Sequence, residues 1–387
     1  FNTVLNAAND RRKTDKDQGL GTVMRQILEE EHTDLKFIEE CVLNWYFANM
    51  EYACAEDLEK LSLNHWDQDD PYEYGGVHNV LKEGYCSILE KIASGLDIRF
   101  GQKVTDISYN NNGVQVTAGD AIYDGDACIC TLPLGILKAK SVTFNPALPQ
   151  WKQGAIDRLG FGLLNKVVLQ FSECFWPKTP AWFGICSDPN SETHKRGAHY
   201  ICWNMYRHVG KPILVVLSSG EAAHTVEHKS DEWLVANIRV ILAKCFKRSA
   251  DVIEYVVTRW HSDEFARGSY SYIPKGSSGN DYTLLSKPVD NHLYFAGEAT
   301  EQMHPATLVG AYASGLREAA RVHRKYYPFK SAFPPAGNLP KESKKRKRAP
   351  KKTVLFAQNE QEEDTDYVPM NSQPNDEDMF DVDDDDL

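Results

Sequence analysis

Apolar residues recur at helical spacing through residues 1–63. Leu20, Val23, Ile27 and Leu28 mark one face, and Phe37, Ile38, Cys41, Val42 and Trp45 mark another. After a polar loop containing Pro71, helical and strand periods alternate over 84–135. Residues 88–92 read as helix and 97–100 as strand. Residues 104–109 and 114–117 read as a hairpin across Asn110, Asn111, Asn112 and Gly113. The apolar run 127–132, stopped by Pro133, predicts a buried strand. A second sheet is expected from 167–171, 200–206 and 213–219, with a further strand at 253–260 that ends in Trp260. Ser230 is placed to cap a helix over 230–246, with Trp233, Val235, Ile238, Ile241, Leu242 and Cys245 on one face. The run 293–296 reads as another buried strand. Gly297-Glu298 follow it, then a loop with Pro305, then a helix built on Gly310, Ala311, Ala313, Ser314, Gly315 and Ala319. Such a small-residue helix lets a large group approach its backbone.

Strands interrupted by helices, in two separate sheet regions, predict an α/β architecture with two lobes woven from alternating stretches of chain. The 387 residues suffice for this. No internal repeat appears. No apolar run reaches the length of a membrane span. The nine cysteines are scattered, with no CxxC pair and no Cys/His ligand spacing, which argues against zinc and for buried thiols in a reducing compartment.

Charge divides the C-terminal region. Residues 341–352 carry +7 and residues 353–387 carry −13; the total is −12, which leaves −6 on the rest. That mild acidity gives no sign of a nucleic-acid surface in the globular part. The basic run 344–352 fits a nuclear localisation signal or a solvated linker. Residues 331–387 read as disordered.

Several groups are candidates for chemistry. Lys166 falls on the face of its strand opposite Val167, Leu169 and Phe171. It suits either a sheet edge or an enclosed site in which it holds a water or adjusts a cofactor. Trp260, Phe265, Tyr270 and Tyr272 suit core packing or, given the interleaved serines and glycines, the aromatic wall of an amine cleft. Asp67, Asp69, Asp70 and Glu73 with His65 and His78 suit a solvated acidic loop, or a negative rim that draws in a cation. Glu298 suits a helix cap or a carboxylate beside a cofactor. GxSxG, HExxH, GxxxxGK[ST] and GxGxxG are all absent from the sequence.

Six stretches carry a resemblance: 43–53 (LNWYFANMEYA), 65–76 (HWDQDDPYEYGG), 130–138 (CTLPLGILK), 159–171 (LGFGLLNKVVLQF), 267–282 (RGSYSYIPKGSSGNDY) and 295–321, which opens FAGEAT and contains HPATLVGAYASG. Together they resemble the flavin-dependent amine oxidase superfamily, and within it the lysine-specific histone demethylases. The resemblance runs from about residue 1 to 325. It implies the two-lobed flavin amine oxidase fold. Residues 1–72 become a helical part of the substrate lobe, 73–164 part of the FAD-binding lobe, 165–278 the substrate lobe, 279–328 the rest of the FAD lobe, and 329–387 a disordered tail. The glycine-rich turn for the FAD pyrophosphate is missing, so the chain reads as starting after it. The long helical hairpin of animal members is also missing, which points to the plant-type branch. Phe265 stands where the family often has Trp.

The resemblance also implies roles. Lys166 matches the lysine that holds a water at the flavin. Val104, Thr131, Leu132, Pro133, Trp260, Ser269, Tyr270, Gly297, Glu298, Ala306, Thr307 and Leu308 match positions around FAD. Asn49, Ala53, Asp69, Asp70, His78, Tyr270 and Thr307 match positions that receive the substrate. The implied reaction oxidises mono- or dimethyl-lysine of a histone tail to lysine, formaldehyde and hydrogen peroxide, in the nucleus, with room for corepressor-type chromatin partners and no membrane or metal. A polyamine oxidase and a non-catalytic chromatin scaffold are the rival readings.

Overall fold

The computed structural model describes residues 1–12, 16–32, 34–75, 80–81, 84–191 and 195–327. His78 and the tail 328–387, with its basic run and expected disorder, lie outside the described residues.

The N-terminal periodicity becomes three helices, α1 (Asn2–Arg11), α2 (Leu20–Glu30) and α3 (Phe37–Cys54). Glu39 starts α3 by accepting the Lys36 amide at 2.8 Å. Val4, Val23, Met24, Ile27, Phe47, Leu58 and Leu61 pack between these helices, and Tyr272 joins them from far along the chain. After α4 (Cys86–Ala93), the strands β1 (Val104–Asn110), β2 (Gly113–Ala118) and β3 (Ala121–Gly125) form an antiparallel meander. Residues 97–100 form no strand, contrary to their pattern. Among the described residues none runs beside them to take up a ladder of hydrogen bonds, and β-propensity without a partner strand has nothing to stabilise.

β4 (Cys128–Cys130) leads into α5 (Leu134–Ala139), which starts after Pro133; β5 (Thr143–Asn145) then pairs in parallel with β1. After α6 (Gln150–Arg158) come β6 (Gly160–Gly162) and β7 (Leu164–Phe171). The second sheet is completed by β8 (Trp182–Gly184), β9 (Ile201–Asn204), then α7 (Tyr206–Val209), β10 (Ile213–Ser219), α8 (Gly220–Glu227), α9 (Asp231–Phe246) and β11 (Val252–Val257). Its antiparallel order is β11-β7-β10-β9-β8.

Ser230 caps α9 as expected, accepting the Trp233 amide. The buried stripe of α9 is Leu234, Ile238 and Leu242, while Trp233 is 43% exposed. Ile238 and Leu242 of the expected face are thus buried and Val235 packs against the same core, whereas Trp233 stays exposed with the Lys229 ammonium 5.1 Å from its ring centre.

β12 (Tyr270–Tyr272) pairs with β6, and α10 (Gly279–Ser286) packs on α6. β13 (Leu293–Phe295) then lies parallel to β4, and α11 (Leu308–Tyr326) closes the described chain. The large compact unit is Phe1–Gly76 with Leu81–Glu318. The second unit, Val77–Val80 with Ala319–Leu387, contains the end of α11, where His323 stacks on Tyr327. Among the described residues no helix is long and apolar enough to cross a membrane.

One close approach couples α3 to β7. Leu163 donates to the Ala55 carbonyl at 2.7 Å, and an added Cβ at Gly162 would lie 2.5 Å from that same carbonyl oxygen. Backbone on both sides cannot yield. Gly162→Ala is expected to cost about 1–3 kcal/mol, read as a lower urea midpoint with an unchanged m-value.

Candidate active site

The parallel strands β4 and β13 end side by side, the usual mouth of a ligand site in α/β folds. Their C-terminal continuations, Thr131, Leu132 and Pro133 on one side and Ala296, Gly297 and Glu298 on the other, line a cavity of about 180 Å³. Ser269 also lines it.

The shape of this mouth is set by polar clamps. Arg317 donates to the Phe295 carbonyl (3.2 Å), the Thr300 carbonyl (2.9 Å) and Thr300 Oγ1 (2.9 Å). The Gly297 amide donates to Ser314 Oγ at 2.8 Å. Glu298 presents its carboxylate to the Ser271 hydroxyl (2.6 Å) and the Ala306 amide (2.8 Å). Burial pushes the Glu298 carboxyl above its ordinary pKa, against these two hydrogen bonds and a third from the Ser271 amide at 3.2 Å. Its bond to Ala306 also holds that residue in the left-handed region, φ 59°.

The small-residue helix is closed at its first turn and open further on, where a Cβ at Gly315 would meet nothing within 4 Å. A Cβ at Gly310 would lie 2.0 Å from the His304 carbonyl oxygen, so this glycine makes room for the chain's own loop. Thr307 caps α11 through its hydroxyl, which accepts the Gly310 amide at 2.9 Å. Leu308 opens the helix and is 60% exposed. Val104 begins β1, half-buried against the core of the four-stranded sheet, and is not among the cavity residues.

Lys166 stands on the half-buried face of β7, as its alternation predicts. Its backbone is gripped on both sides by Thr258: the Lys166 amide donates to Thr258 Oγ1 (2.7 Å), and the Thr258 amide donates to the Lys166 carbonyl (3.0 Å). The ammonium lies 5.9 Å from the centre of the Trp203 ring. Burial lowers its pKa. Among the described residues no carboxylate pairs with it.

Aromatic groups surround this region. Tyr52 meets Trp203 edge-on at 6.3 Å, and the Tyr270 hydroxyl donates to the Tyr52 carbonyl at 2.5 Å. Ser269 links cavity and lysine: its hydroxyl accepts the Leu164 amide (2.9 Å) and donates to the Leu164 carbonyl (3.1 Å), two residues before Lys166. Asn165 joins the cluster by accepting Thr258 Oγ1 (3.0 Å) and the Trp260 amide (3.2 Å).

The aromatic group read from the sequence does not stay together. Tyr270 packs with Trp45 and Tyr200, whereas Tyr272 packs among α1–α3. Trp260 and Phe265 are 43% and 58% exposed. Trp203, Thr258 and Asn165, which the sequence did not single out, take the places around Lys166, and Tyr52 packs behind Trp203. Tyr52 lies inside the quoted stretch 43–53 and Trp203 in an expected strand, but nothing local ties either to residue 166.

Asn49 and Ala53 lie one turn apart on α3. The acidic loop is brought to the closing loop: Gln68 donates to the Gln302 carbonyl (2.7 Å), and His304 stacks on Tyr74 at 4.7 Å. Burial first, and neighbouring carboxylates next, raise the pKa values of Asp69 and Asp70. Asp67 is taken by Arg12 at 2.8 Å. Among the described residues no group of three metal-ligating side chains forms.

The cavity at the paired parallel strand ends is thus tied through Ser269 to the strand that carries Lys166, the kind of mouth at which α/β folds hold a ligand. Residues 5–323 match the model of the flavin-containing amine oxidoreductases, and the chain belongs to that family. It is 44% identical over 288 residues to lysine-specific histone demethylase 1 homolog 2 of Arabidopsis thaliana, covering 73% of this chain and 38% of that protein. To homolog 3 of the same plant it is 42% identical over 298 residues, covering 74% and 18%. The chain thus spans well under half the length of these relatives. The structure of cyclohexylamine oxidase from Brevibacterium oxydans superposes with a TM-score of 0.62 at 17% identity, covering 84% of this chain and 74% of that one. The α/β fold is therefore that of the flavin amine oxidases.

The residues present fit part of a flavin. An added Cβ at Gly297, φ 123°, meets no protein atom within 4 Å, so space beside the cavity stays unfilled. The cavity itself is below the usual range for a whole ligand, roughly 300–1,000 Å³. No glycine-rich turn for the phosphates occurs among the 387 residues.

Proposed function

We propose that this chain forms part of the catalytic domain of an FAD-dependent histone lysine demethylase that acts on mono- and dimethyl-lysine. The observation that carries it is Lys166: a half-buried ammonium with no carboxylate partner among the described residues, beside the Trp203 ring, on a strand that Ser269 ties to the cavity between β4 and β13. The demethylase names of its relatives support the substrate class.

In this reading Thr131, Leu132, Pro133, Ser269, Gly297 and Glu298 hold the cofactor, with residues 73–164 and 279–328 as its lobe and 1–72 and 165–278 as the substrate lobe. FAD, when bound, takes up the electron pair of the amine and passes it to oxygen. The net change is R–NH–CH₃ + O₂ + H₂O → R–NH₂ + HCHO + H₂O₂. Tyr52, Trp203 and Tyr270 exclude water and favour the neutral amine, whose lone pair the oxidation needs. A trimethylated amine has no such pair and is not a substrate. Lys166 holds a water at Nζ and moves a proton there. Asp69 and Asp70, half-buried and exposed, lend the rim a negative field for a basic peptide. The basic run 344–352 supports a nuclear address, and the histone tail is the partner proposed; corepressor-type proteins fit the same chromatin setting.

Anaerobic mixing of the flavin-loaded protein with a dimethyl-lysine histone-tail peptide is expected to bleach the flavin absorbance, and spermine is not. Bleaching by spermine alone would make it a polyamine oxidase. A protein that takes up no flavin would be the chromatin scaffold.

A further inference from the structure

A lysine is almost never fully buried without an ion-pair partner, yet Lys152, in the first turn of α6, has 0% exposure and forms no ion pair among the described residues, the attracting carboxylate being Glu318. Its ammonium donates to the Leu285 carbonyl at 2.5 Å and lies 3.7 Å from the centre of the Phe295 ring. Leu285, Phe295 and Cys130 all line the cavity between β4 and β13; Lys152 does not. The cation therefore sits one residue behind the wall, held by a carbonyl and a π face.

The other groups facing it are few. Cys130 of β4 has its thiol pushed up to about 12 by burial and is neutral. Glu318 of α11 is buried and bonded to Arg317 at 2.6 Å, and its carboxylate also attracts the Lys152 ammonium, partly offsetting the effect of burial. On α6 itself Arg158 turns to Asp281 of α10, also at 2.6 Å. Trp151 lies 5.1 Å away, ring centre to Nζ. A methionine would fill such a space without the desolvation that an ammonium costs. The charge is what distinguishes this side chain.

We propose that Lys152 sets the charge of the cofactor pocket: held behind the wall by Leu285 and Phe295, it favours an anionic occupant over a neutral one, and so the reduced, anionic state of a bound flavin. The proposal rests on the flavin reading of the cavity. Lys152 acts through Phe295 and Leu285 and is a positioning residue, not one that touches the reacting atoms. Burial lowers its pKa to about 7, and negative charge arriving in the pocket would raise it again.

The test compares FAD-loaded wild type, Lys152→Met and Lys152→Arg, equilibrated with a redox dye. Lys152→Met is expected to shift the reduced-to-oxidised ratio about tenfold toward oxidised, about 30 mV for a two-electron couple. Lys152→Arg is expected to stay near wild type. In ¹⁵N-lysine-labelled wild type, the Nζ resonance of Lys152 is expected to titrate at higher pH in the reduced than in the oxidised protein. An unchanged ratio in Lys152→Met with only a lower melting temperature would make the lysine a structural anchor. An equal shift in Lys152→Arg would assign the effect to shape. If the methionine variant does not fold, an identical Nζ titration in both redox states overturns the proposal by itself. Failure of wild type to take up FAD would refute the flavin reading instead.

Discussion

Replacing Lys166 by methionine is expected to slow anaerobic flavin reduction by a dimethyl-lysine peptide roughly a hundred- to ten-thousand-fold, the usual span for a positioned proton-transfer group. Flavin absorbance and melting temperature are expected to stay close to wild type. The fold can spare the ammonium. It is half-buried and its pKa is lowered by burial alone, so it destabilises the folded state wherever it is charged. Thr258 and Leu217 grip the strand through backbone that methionine keeps.

The pH profile separates chemistry from packing. A lysine of lowered pKa loses its proton at lower pH than a free one, so a rate that needs the neutral form rises through that lowered pKa. In Lys166→Met this limb should vanish and leave only the deprotonation of the amine itself. Reduction at the wild-type rate would remove Lys166 from the mechanism. A fall in rate matched by loss of bound flavin would make it a packing residue.

How far such a site can be read from sequence depends on whether its signal is local. The face of Lys166 was legible because period-two alternation is written into consecutive residues, and the burial pattern follows it position by position. The paired strands β4 and β13 were legible as short apolar runs that end in Pro133 and Gly297. The aromatic surround was not. Trp203 and Thr258 reach residue 166 from separate elements, Tyr52 joins them through Trp203, and no spacing records that. Conversely Tyr270 and Tyr272, neighbours in sequence, serve two different cores. The strand expected at 97–100 shows the same limit from the other side, since alternation states a preference and pairing requires a partner.

The largest stability effect is expected at Arg196→Met. Arg196 reaches Glu51 at 2.6 Å and Glu59 at 2.7 Å, and its guanidinium also covers the Phe47 ring. Glu51 has no exposure: one carboxylate oxygen also accepts the Leu58 amide, and the other has no hydrogen-bond partner. Burial raises its pKa to about 7, and the attraction of Arg196 offsets only part of that. Breaking such a pair from one side leaves an uncompensated buried charge and costs about 3–5 kcal/mol.

The sign of the pH dependence is set by linkage. A carboxyl whose folded pKa lies above its unfolded value binds more protons folded than unfolded, so stability falls as pH rises from about 4.5 to about 7. Without Arg196 the folded pKa moves higher and the loss continues above neutrality. The penalty of Arg196→Met should therefore be small at pH 5 and full at pH 8, as urea midpoints would show, and Glu51→Gln in the same chain should recover much of it. A penalty equal at both pH values would mean that the arginine acts through its packing on Phe47. The consequence reaches the site as well. Glu51 fixes the last turn of α3, and the carbonyls of Tyr52 and Ala55 at that turn hold Tyr270 and Leu163, the latter just ahead of the strand that carries Lys166. Loosening the ion pair should thus weaken amine selection before it unfolds the chain.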